Sequence, residues 1–359
     1  MKLNLSKNET TEIGSGQDYI KTSVYDGKSV KEVKTAENKH REIHNLEDYF
    51  GPIEVVKNHK SSELHLVSQV KLEENDEIRE RMLKILRKPS GISVNDYKDI
   101  GKRFEREAVY GEILSSNNNS FISVLDFSIE PVPFMLMEYA AGGSLRDRIG
   151  APKDSRAKNN YQYNMKDVMG WMLYVSKALD FAHSIRLVHR DIKPENILIT
   201  AKEQVRVADP GIMRTLERWN YEIENKFIGT PVYASPEQFE GVQEDIDNQT
   251  DIYSLGLVMC ELLTGTNPLN PKAVNLNQLG KEQALMYLKS NGQNIQDIIK
   301  GKFDDVLSIR EQVPGISGGL VKIIEKSLEP DKKKRYPSFE NFIYDLKRTD
   351  EYRRAELHR

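Results

Sequence analysis

The most informative run of residues in this chain is Val188-His189-Arg190-Asp191-Ile192-Lys193-Pro194-Glu195-Asn196. Within this run, Asp191, Lys193 and Asn196 place a carboxylate, an ammonium group and a carboxamide at fixed offsets on one loop. Transfer of a phosphoryl group from a nucleotide needs a carboxylate that accepts the hydroxyl proton, a cation near the phosphate and an oxygen ligand for magnesium. These three residues supply the three groups in that order, which a turn of arbitrary sequence would rarely do.

A second motif, Val207-Ala208-Asp209-Pro210-Gly211, begins eleven residues after Asn196. Two apolar runs, 197–199 and 205–207, lie between Asn196 and Asp209 with a polar turn separating them, which predicts a β-hairpin. The hairpin would bring Asp209 back beside Asn196. Because magnesium prefers oxygen ligands, we expect these two side chains to hold the metal.

The third motif is Gly229-Thr230-Pro231-Val232-Tyr233-Ala234-Ser235-Pro236-Glu237. Together the three motifs resemble the catalytic loop, the metal-binding segment and the end of the activation segment of protein kinases. The chain departs from the family pattern at Pro210, which stands where the family carries phenylalanine. Proline fixes φ and removes a backbone donor, so the segment around Pro210 should switch less freely.

The resemblance implies a role for each matching residue. Asp191 would orient the substrate hydroxyl and accept its proton, and Lys193 would stabilise charge on the transferring phosphate. Glu237 would form a buried, bidentate pair with Arg335. Asp251, which opens an apolar stretch expected to be a buried helix, resembles the residue that holds the backbone of the catalytic loop.

Lys193 and the run Gly229-Thr230-Pro231 resemble serine/threonine kinases rather than tyrosine kinases. The implied activity is transfer of the γ-phosphate of ATP to Ser or Thr of protein substrates, with autophosphorylation. The implied cofactors are ATP and Mg²⁺, with Mn²⁺ as an alternative metal. The implied fold is α+β and bilobal, with a small antiparallel-sheet N-lobe that carries a helix and a larger, mainly helical C-lobe.

The nucleotide-binding lysine is predicted at Lys71, because Leu66-Val67-Ser68-Gln69-Val70-Lys71 resembles the Val-Ala-Ile-Lys strand of the family. Its partner on a following helix is predicted to be Glu107, with Glu105 as the nearest rival. The sequence between Lys71 and Glu107 is unusually long. Apolar residues at helical spacing predict an inserted helix over residues 74–87 that would account for the extra length.

Glycines that let the backbone approach phosphates are scarce in the N-terminal half of the chain. The run Tyr49-Phe50-Gly51 is the predicted remnant of the glycine loop, which makes Gly51 the candidate phosphate contact. A rival loop at Gly14 and Gly16 would require Lys34 as the strand lysine and would leave Lys71 unexplained.

The run Met137-Glu138-Tyr139-Ala140 resembles the linker between kinase lobes, which implies that the Glu138 carbonyl and the Ala140 amide bind adenine. The predicted elements of the N-lobe are strands over 53–56, 64–72, 121–127 and 134–138 and a helix over 95–115.

Three segments are expected along the chain: a polar N-terminal extension over 1–42, a protein kinase domain over 43–348 and a basic tail over 349–359. Within the domain, the N-lobe should cover about 43–138 and the C-lobe about 141–348. The basic end of the chain is most simply a solvated tail.

Composition bounds the location and partners of the protein. A formal net charge of −3 gives no electrostatic footprint for nucleic acid. The chain has one cysteine, Cys260, which excludes an intramolecular disulfide and suits a reducing compartment. With no apolar run of membrane-spanning length, we expect a cytoplasmic protein with protein substrates and no membrane or nucleic-acid partner. The composition leaves the oligomeric state open.

Arg190 precedes the predicted catalytic aspartate. In the family, an arginine at this position usually binds a phosphate on the activation segment. We expect phosphorylated Thr215, or one of Glu217, Glu222 and Glu224, to neutralise it. The rival interpretation of the whole chain is a pseudokinase acting as a nucleotide-binding or signalling scaffold, for which the degenerate glycine loop, Gln69 and Pro210 argue. A small-molecule phosphotransferase would lack the third motif.

Overall fold

The computed structural model describes residues 46–149, 165–209, 214–215, 230–240, 246–270, 274–276, 279, 281–302 and 308–357. These residues form two compact units. The first unit contains the described residues up to Ile113 together with Ser123–Tyr139, and the second contains Leu114–Ile122 and the described residues from Ala140 onwards. The first unit holds a sheet and the second is mainly helical, so the predicted α+β class is confirmed.

The first unit is built on a five-stranded antiparallel sheet with the strand order β1-β2-β3-β5-β4. Its elements are the one-turn helix α1 (Glu47–Phe50), β1 (Glu54–Ser61), β2 (His65–Glu74), β3 (Glu77–Leu86), α2 (Val94–Asn117), β4 (Val124–Ser128) and β5 (Phe134–Glu138). Strand β3 lies between β2 and β5 and pairs with both. It is therefore an interior strand, and its apolar residues Leu83 and Ile85 are buried.

The helix predicted over residues 74–87 is wrong, because β3 occupies this segment. Strands β2 and β3 are joined by a two-residue turn at Asn75 and Asp76, both with positive φ, at 53° and 63°. Such a pair of left-handed residues is the hairpin turn whose twist matches that of its strands, and Asn and Asp tolerate it best after glycine. Glu74 faces Glu77 directly across the turn, which fixes the register.

Helix α2 confirms the helix predicted over 95–115 and begins and ends slightly beyond it. Its inward face carries Phe104 and Ala108, both buried. Glu107 is also buried, at 8% exposure, whereas Glu105 faces solvent. Of the two candidate glutamates, only Glu107 therefore faces the interior of the first unit.

The second unit is mainly helical. Its helices are α3 (Leu145–Arg148), α4 (Met165–Ser184), α5 (Pro236–Glu240), α6 (Asn248–Thr264), α7 (Lys281–Gln293), α8 (Ile295–Ile299), α9 (Ile309–Gln312), α10 (Gly318–Ser327), α11 (Phe339–Leu346) and α12 (Asp350–Leu357). Helix α6 is buried from Thr250 to Leu263, which confirms the predicted buried helix. Asp247 caps its first turn, and Gly265, in the left-handed conformation that favours glycine, ends it.

The described residues of the second unit also form four short β-strands. They are β6 (Leu187–Val188), β7 (Ile197–Ile199), β8 (Val205–Val207) and β9 (Arg214–Thr215). Strands β7 and β8 form one antiparallel hairpin, and β6 pairs with β9. The hairpin predicted after Asn196 is therefore confirmed.

The end of the chain does not form the solvated tail that its basic composition suggested. Residues 350–357 form α12, which packs against α4. Glu351 is buried, and its two carboxylate oxygens accept hydrogen bonds from the backbone N–H and the hydroxyl of Ser317, at 2.6 and 2.7 Å. These bonds attach the last helix to the start of α10.

Several sequence predictions fall outside the described residues: the extension 1–42, the rival glycines Gly14 and Gly16 with Lys34, Pro210, and the acidic residues Glu217, Glu222 and Glu224. Among the described helices, none combines the length and the apolar composition needed to cross a membrane.

Candidate active site

The catalytic-loop residues predicted from the sequence lie together in the second unit. Strand β6 leads into the loop, and a short 3₁₀ helix, Pro194–Asn196, ends it. The Lys193 ammonium nitrogen lies 2.5 Å from Oδ2 of Asp191. The Asn196 amide nitrogen donates to the Asp191 carbonyl at 2.9 Å and to its Oδ2 at 3.1 Å. One carboxylate oxygen of Asp191 is thus held by two neighbours from its own loop.

The second carboxylate oxygen of Asp191 is held by Thr230, a residue that sequence reasoning did not place in the site. The Thr230 backbone N–H and hydroxyl donate to Asp191 Oδ1 at 3.0 and 2.7 Å. The same hydroxyl accepts from the Lys193 ammonium at 2.7 Å. The run Gly229-Thr230-Pro231 was the available signal, but it served only as part of the third motif and as an indicator of the acceptor class.

The two predicted metal ligands lie on the paired ends of one hairpin. Ile197 faces Val207 in the register of β7 and β8, and the Ala208 N–H donates to the Asn196 carbonyl at 2.9 Å. Asp209 follows at once, exposed and with a φ of 60°. This left-handed backbone is uncommon for a residue with a side chain and is characteristic of functional positions. The carboxylate and the amide oxygen suit a hard cation such as magnesium.

The backbone of the catalytic loop is held by Asp251 of α6, as predicted. Its carboxylate accepts from the N–H groups of His189 and Arg190, each at 2.8 Å, and from Nε2 of His183 at 2.8 Å. Complete burial opposes its charge, but the His183 hydrogen bond, the histidine charges and the Arg190 N–H outweigh burial and lower the Asp251 pKa. Arg190 has a φ of 70°, so Asp251 fixes an otherwise unfavourable backbone.

The predicted pair of Glu237 and Arg335 is confirmed. The guanidinium donates two parallel hydrogen bonds to the carboxylate, at 2.8 and 2.9 Å, and both residues are buried. The Thr250 hydroxyl donates a third bond at 2.9 Å. Burial opposes the charge of Glu237, but the bonds and charge of Arg335 outweigh it and lower the Glu237 pKa.

The predicted pairing of Lys71 with Glu107 is wrong. Glu107 binds the Lys84 ammonium at 2.5 Å, and both side chains are largely buried. Lys71 instead lies 2.9 Å from Glu54, in a pair that is about one-third and two-thirds exposed. Lys84 faces Val67 across the sheet, so Lys71 lies four residues further along β2, roughly 13 Å away.

The structure gives Gly51 no position in a loop between strands. It ends α1 and precedes β1 with a φ of 76°, whereas the connection from β1 to β2 is Ser62-Glu63-Leu64 and contains no glycine. Glu138 is the last residue of β5 in the first unit, and Ala140, which is buried, is the first residue of the second unit's main segment. The adenine contacts implied for Glu138 and Ala140 stay predictions.

Thr215, the candidate phosphorylation site, lies in β9 and pairs with Leu187 of β6. Leu187 precedes Arg190 by three positions in the sequence. Arg190 itself is buried, and its carbonyl accepts from the Gln238 amide at 2.9 Å. The neutralisation of Arg190 by a phosphate or by an acidic residue stays a prediction.

An antiparallel sheet unit followed by a helical unit, with an Asp, a Lys and an Asn hydrogen-bonded together on one loop, is the arrangement expected of a protein kinase. The family model for the protein kinase domain matches residues 67–344, which is more than half of the chain. The chain therefore belongs to the protein kinase family.

Curated relatives agree with this assignment. The chain is 31% identical over 252 residues to the Clostridium perfringens protein named "Probable serine/threonine-protein kinase CPE1738", covering 70% of this chain and 32% of that protein. It is 33% identical over 213 residues to serine/threonine-protein kinase PknB of Mycobacterium leprae, covering 58% and 31%. The chain spans about a third of the length of these relatives.

Proposed function

We propose that this chain is an ATP-dependent protein serine/threonine kinase, which transfers the γ-phosphate of ATP to Ser or Thr of protein substrates and phosphorylates itself. The observation that carries the proposal is the set of hydrogen bonds to both carboxylate oxygens of Asp191, from Lys193, Asn196 and Thr230. Relatives named as serine/threonine kinases support the choice of acceptor.

In the proposed reaction, the hydroxyl oxygen of the substrate attacks the γ-phosphorus, and the bond from that phosphorus to the β–γ bridging oxygen breaks. The phosphoryl group moves to the substrate, and ADP leaves with the bridging oxygen and its electron pair. Asp191 accepts the hydroxyl proton. Lys193, already within 2.5 Å of Asp191, supplies positive charge to the transferring group.

Asn196 and Asp209 are the proposed magnesium ligands. The Asn196 amide nitrogen is committed to Asp191, which leaves the amide oxygen as the atom that a cation would meet. When bound, magnesium or manganese neutralises negative charge on the nucleotide phosphates. Asp209 is exposed, as a ligand to a nucleotide-bound cation needs to be.

Lys84, oriented by Glu107, is the proposed lysine for the nucleotide phosphates. The family places this lysine on the third strand of the sheet, and Lys84 is on β3. Its separation from Glu107 is 23 residues and includes no inserted helix. Lys71 has no such support, because it lies on β2 and its exposed ion pair is with Glu54 of the neighbouring strand β1. Glu138 and Ala140 remain the proposed backbone contacts to adenine.

The test is incubation of the purified protein with magnesium and radiolabelled ATP, beside Asp191→Asn, followed by mapping of the labelled residues. We expect label on Ser or Thr in the wild type and none in the variant. The assay is repeated with manganese and with a generic basic protein as acceptor. If no label appears under any of these conditions, the scaffold interpretation replaces the kinase. The cytoplasmic location stays a prediction from the single cysteine and from the lack of an apolar run of membrane-spanning length in the sequence.

A further inference from the structure

Four polar side chains of the second unit form one network next to the catalytic loop. The Arg146 guanidinium, on α3, donates to Glu195 Oε1 and to Glu261 Oε1, each at 2.7 Å. It also hydrogen-bonds to the hydroxyl of Tyr233, and that hydroxyl donates to Glu261 Oε2 at 2.5 Å. One guanidinium thus joins two carboxylates and a phenol that come from three other segments of the chain.

The network lies next to the residues that are proposed to act on the substrate hydroxyl. Glu195 directly precedes Asn196 in the catalytic loop, and Tyr233 follows Thr230, the residue bound to Asp191, by three positions. Glu195 is 45% exposed, whereas Glu261 is only 7% exposed. Arg146 therefore joins an exposed carboxylate to a buried one, beside the loop that carries Asp191.

The charge states of Arg146 and Tyr233 are fixed at working pH. Burial opposes the Arg146 charge, but the bonds and charges of its carboxylate partners outweigh it and raise the Arg146 pKa. Burial, followed by the charge of Glu261, raises the Tyr233 pKa, so the phenol stays neutral. The network thus joins one guanidinium cation to two carboxyl groups and a neutral phenol. Without Arg146, two carboxylates would face one another at the separation that a single guanidinium bridges.

We propose that Arg146 is a specificity-determining residue. Its guanidinium occupies the anionic site formed by Glu195 and Glu261. Without Arg146, this site would select an arginine of the protein substrate. The inference rests on the proposed kinase function. In the wild type the anionic site is filled, so a cationic side chain of the substrate gains nothing there. Removal of the guanidinium opens the site to the same group supplied by the substrate.

The experiment measures kcat/KM on a peptide series in which arginine is placed at each position around the acceptor Ser. Arginine should change the wild-type value by less than about twofold at every position. In Arg146→Gln, arginine at one position should raise kcat/KM about tenfold, which corresponds to about 1.4 kcal/mol. Adding Glu195→Gln to Arg146→Gln should abolish this gain. Arg148→Gln is the matched control, because Arg148 lies on the same helix but pairs with Glu203.

Two results would overturn the proposal. The first is an Arg146→Gln enzyme with lower activity but the wild-type ranking of peptides, which would make Arg146 a purely structural clamp. The second result concerns the wild type alone and needs no Arg146 variant. If arginine at one position already raised the wild-type kcat/KM tenfold, and Glu195→Gln abolished this gain, the anionic site would be open in the wild type.

A binding measurement separates this proposal from the kinase function itself. Ethylguanidinium should raise the melting temperature of Arg146→Gly, but not that of Arg146→Gly with Glu195→Gln, nor that of Arg148→Gly. If ethylguanidinium failed to raise the melting temperature of Arg146→Gly, the proposed site would be refuted even if the protein transferred phosphate. Stabilisation without any phosphoryl transfer would leave the site intact and refute only the kinase function.

Discussion

The Lys84 ammonium lies 2.5 Å from Oε1 of Glu107, and this pair links the central strand β3 to helix α2 within the first unit. Only 13% of the Lys84 side chain and 9% of the Glu107 side chain are exposed. A lysine held by a buried carboxylate has a defined position, unlike a lysine on a flexible exposed stem. The geometry thus favours Lys84, whereas the sequence motif alone had pointed to Lys71.

Replacing each lysine by methionine tests this distinction. Lys84→Met should lower kcat/KM for ATP by about 100-fold or more, since it removes a fixed cation for the phosphates. Lys71→Met is the matched control and should stay within about twofold, because an exposed ion pair contributes little. Steady-state kinetics with varied ATP check both values. Equal losses in the two variants would contradict the assignment of Lys84.

Thr230 should contribute to catalysis through its hydroxyl. Thr230→Val keeps the size of the side chain and the backbone bond to Asp191 but removes the bonds that the hydroxyl makes to Asp191 and Lys193. We therefore expect kcat to fall about 10- to 100-fold, as is typical of hydrogen bonds to charged groups. Thr230→Ser restores the hydroxyl and should remain within about threefold of the wild type. Single-turnover rates at saturating ATP would measure both, and an unimpaired valine variant would exclude the role.

Loss of the Glu237 charge should destabilise the fold strongly. Glu237→Gln leaves the Arg335 guanidinium buried without its anion, which should lower the free energy of unfolding by about 3 kcal/mol. Glu203→Gln is the control, because Glu203 pairs with Arg148 at an exposed position and should cost less than about 1 kcal/mol. Urea unfolding followed by fluorescence gives both values. A similar cost in the two variants would count against a special contribution of the Glu237 pair.

The same pair predicts how acid affects stability. Folding lowers the Glu237 pKa below its ordinary value of 4.5, so the unfolded chain binds a proton before the folded protein does. The stabilisation is complete above this pH and is lost as pH falls through 4.5 towards the folded pKa. Glu237→Gln should therefore lose less free energy of unfolding than the wild type over this interval, and parallel pH profiles would disprove the linkage.

Cys260 should be inert in the folded protein. It is buried in α6, and burial together with the charge of Glu261 raises the pKa of its thiol to about 12. Thiol reagents react with the thiolate, so a chromogenic disulfide at pH 8 should label the native protein far more slowly than the guanidinium-unfolded protein. The unfolded sample should release one equivalent of chromophore, because the chain has one cysteine. Rapid labelling of the native protein would contradict the packing of α6.

The second-unit site could be predicted from the sequence because its chemistry is local. Asp191, Lys193 and Asn196 share one loop, and the hairpin that returns Asp209 has a clear apolar pattern on both sides of its turn. Family order then supplied the long-range partners Asp251 and Arg335. Thr230 was missed as a ligand of Asp191, because sequence spacing does not show which backbone N–H meets a carboxylate 39 residues away.

The lysine of the first unit could not be identified in the same way, because its identity depends on counting strands correctly. Residues 74–87 carry apolar side chains at spacings that suit a helix, and the turn at Asn75 and Asp76 contains no glycine to mark a hairpin. Once that turn is recognised, β3 contains Met82-Leu83-Lys84, which resembles the family strand as well as Val70-Lys71 does. Pairing within the sheet, rather than local propensity, decided the segment.

The contact of Asp251 with the His189 and Arg190 amides has a consequence for protein engineering. The conformation of the catalytic loop is imposed by a helix about sixty residues later in the chain, so the loop sequence does not encode its own shape. Transplanting the loop into another scaffold would therefore move the reactive side chains without the geometry that makes them useful. A graft that works has to carry a buried carboxylate at the position of Asp251.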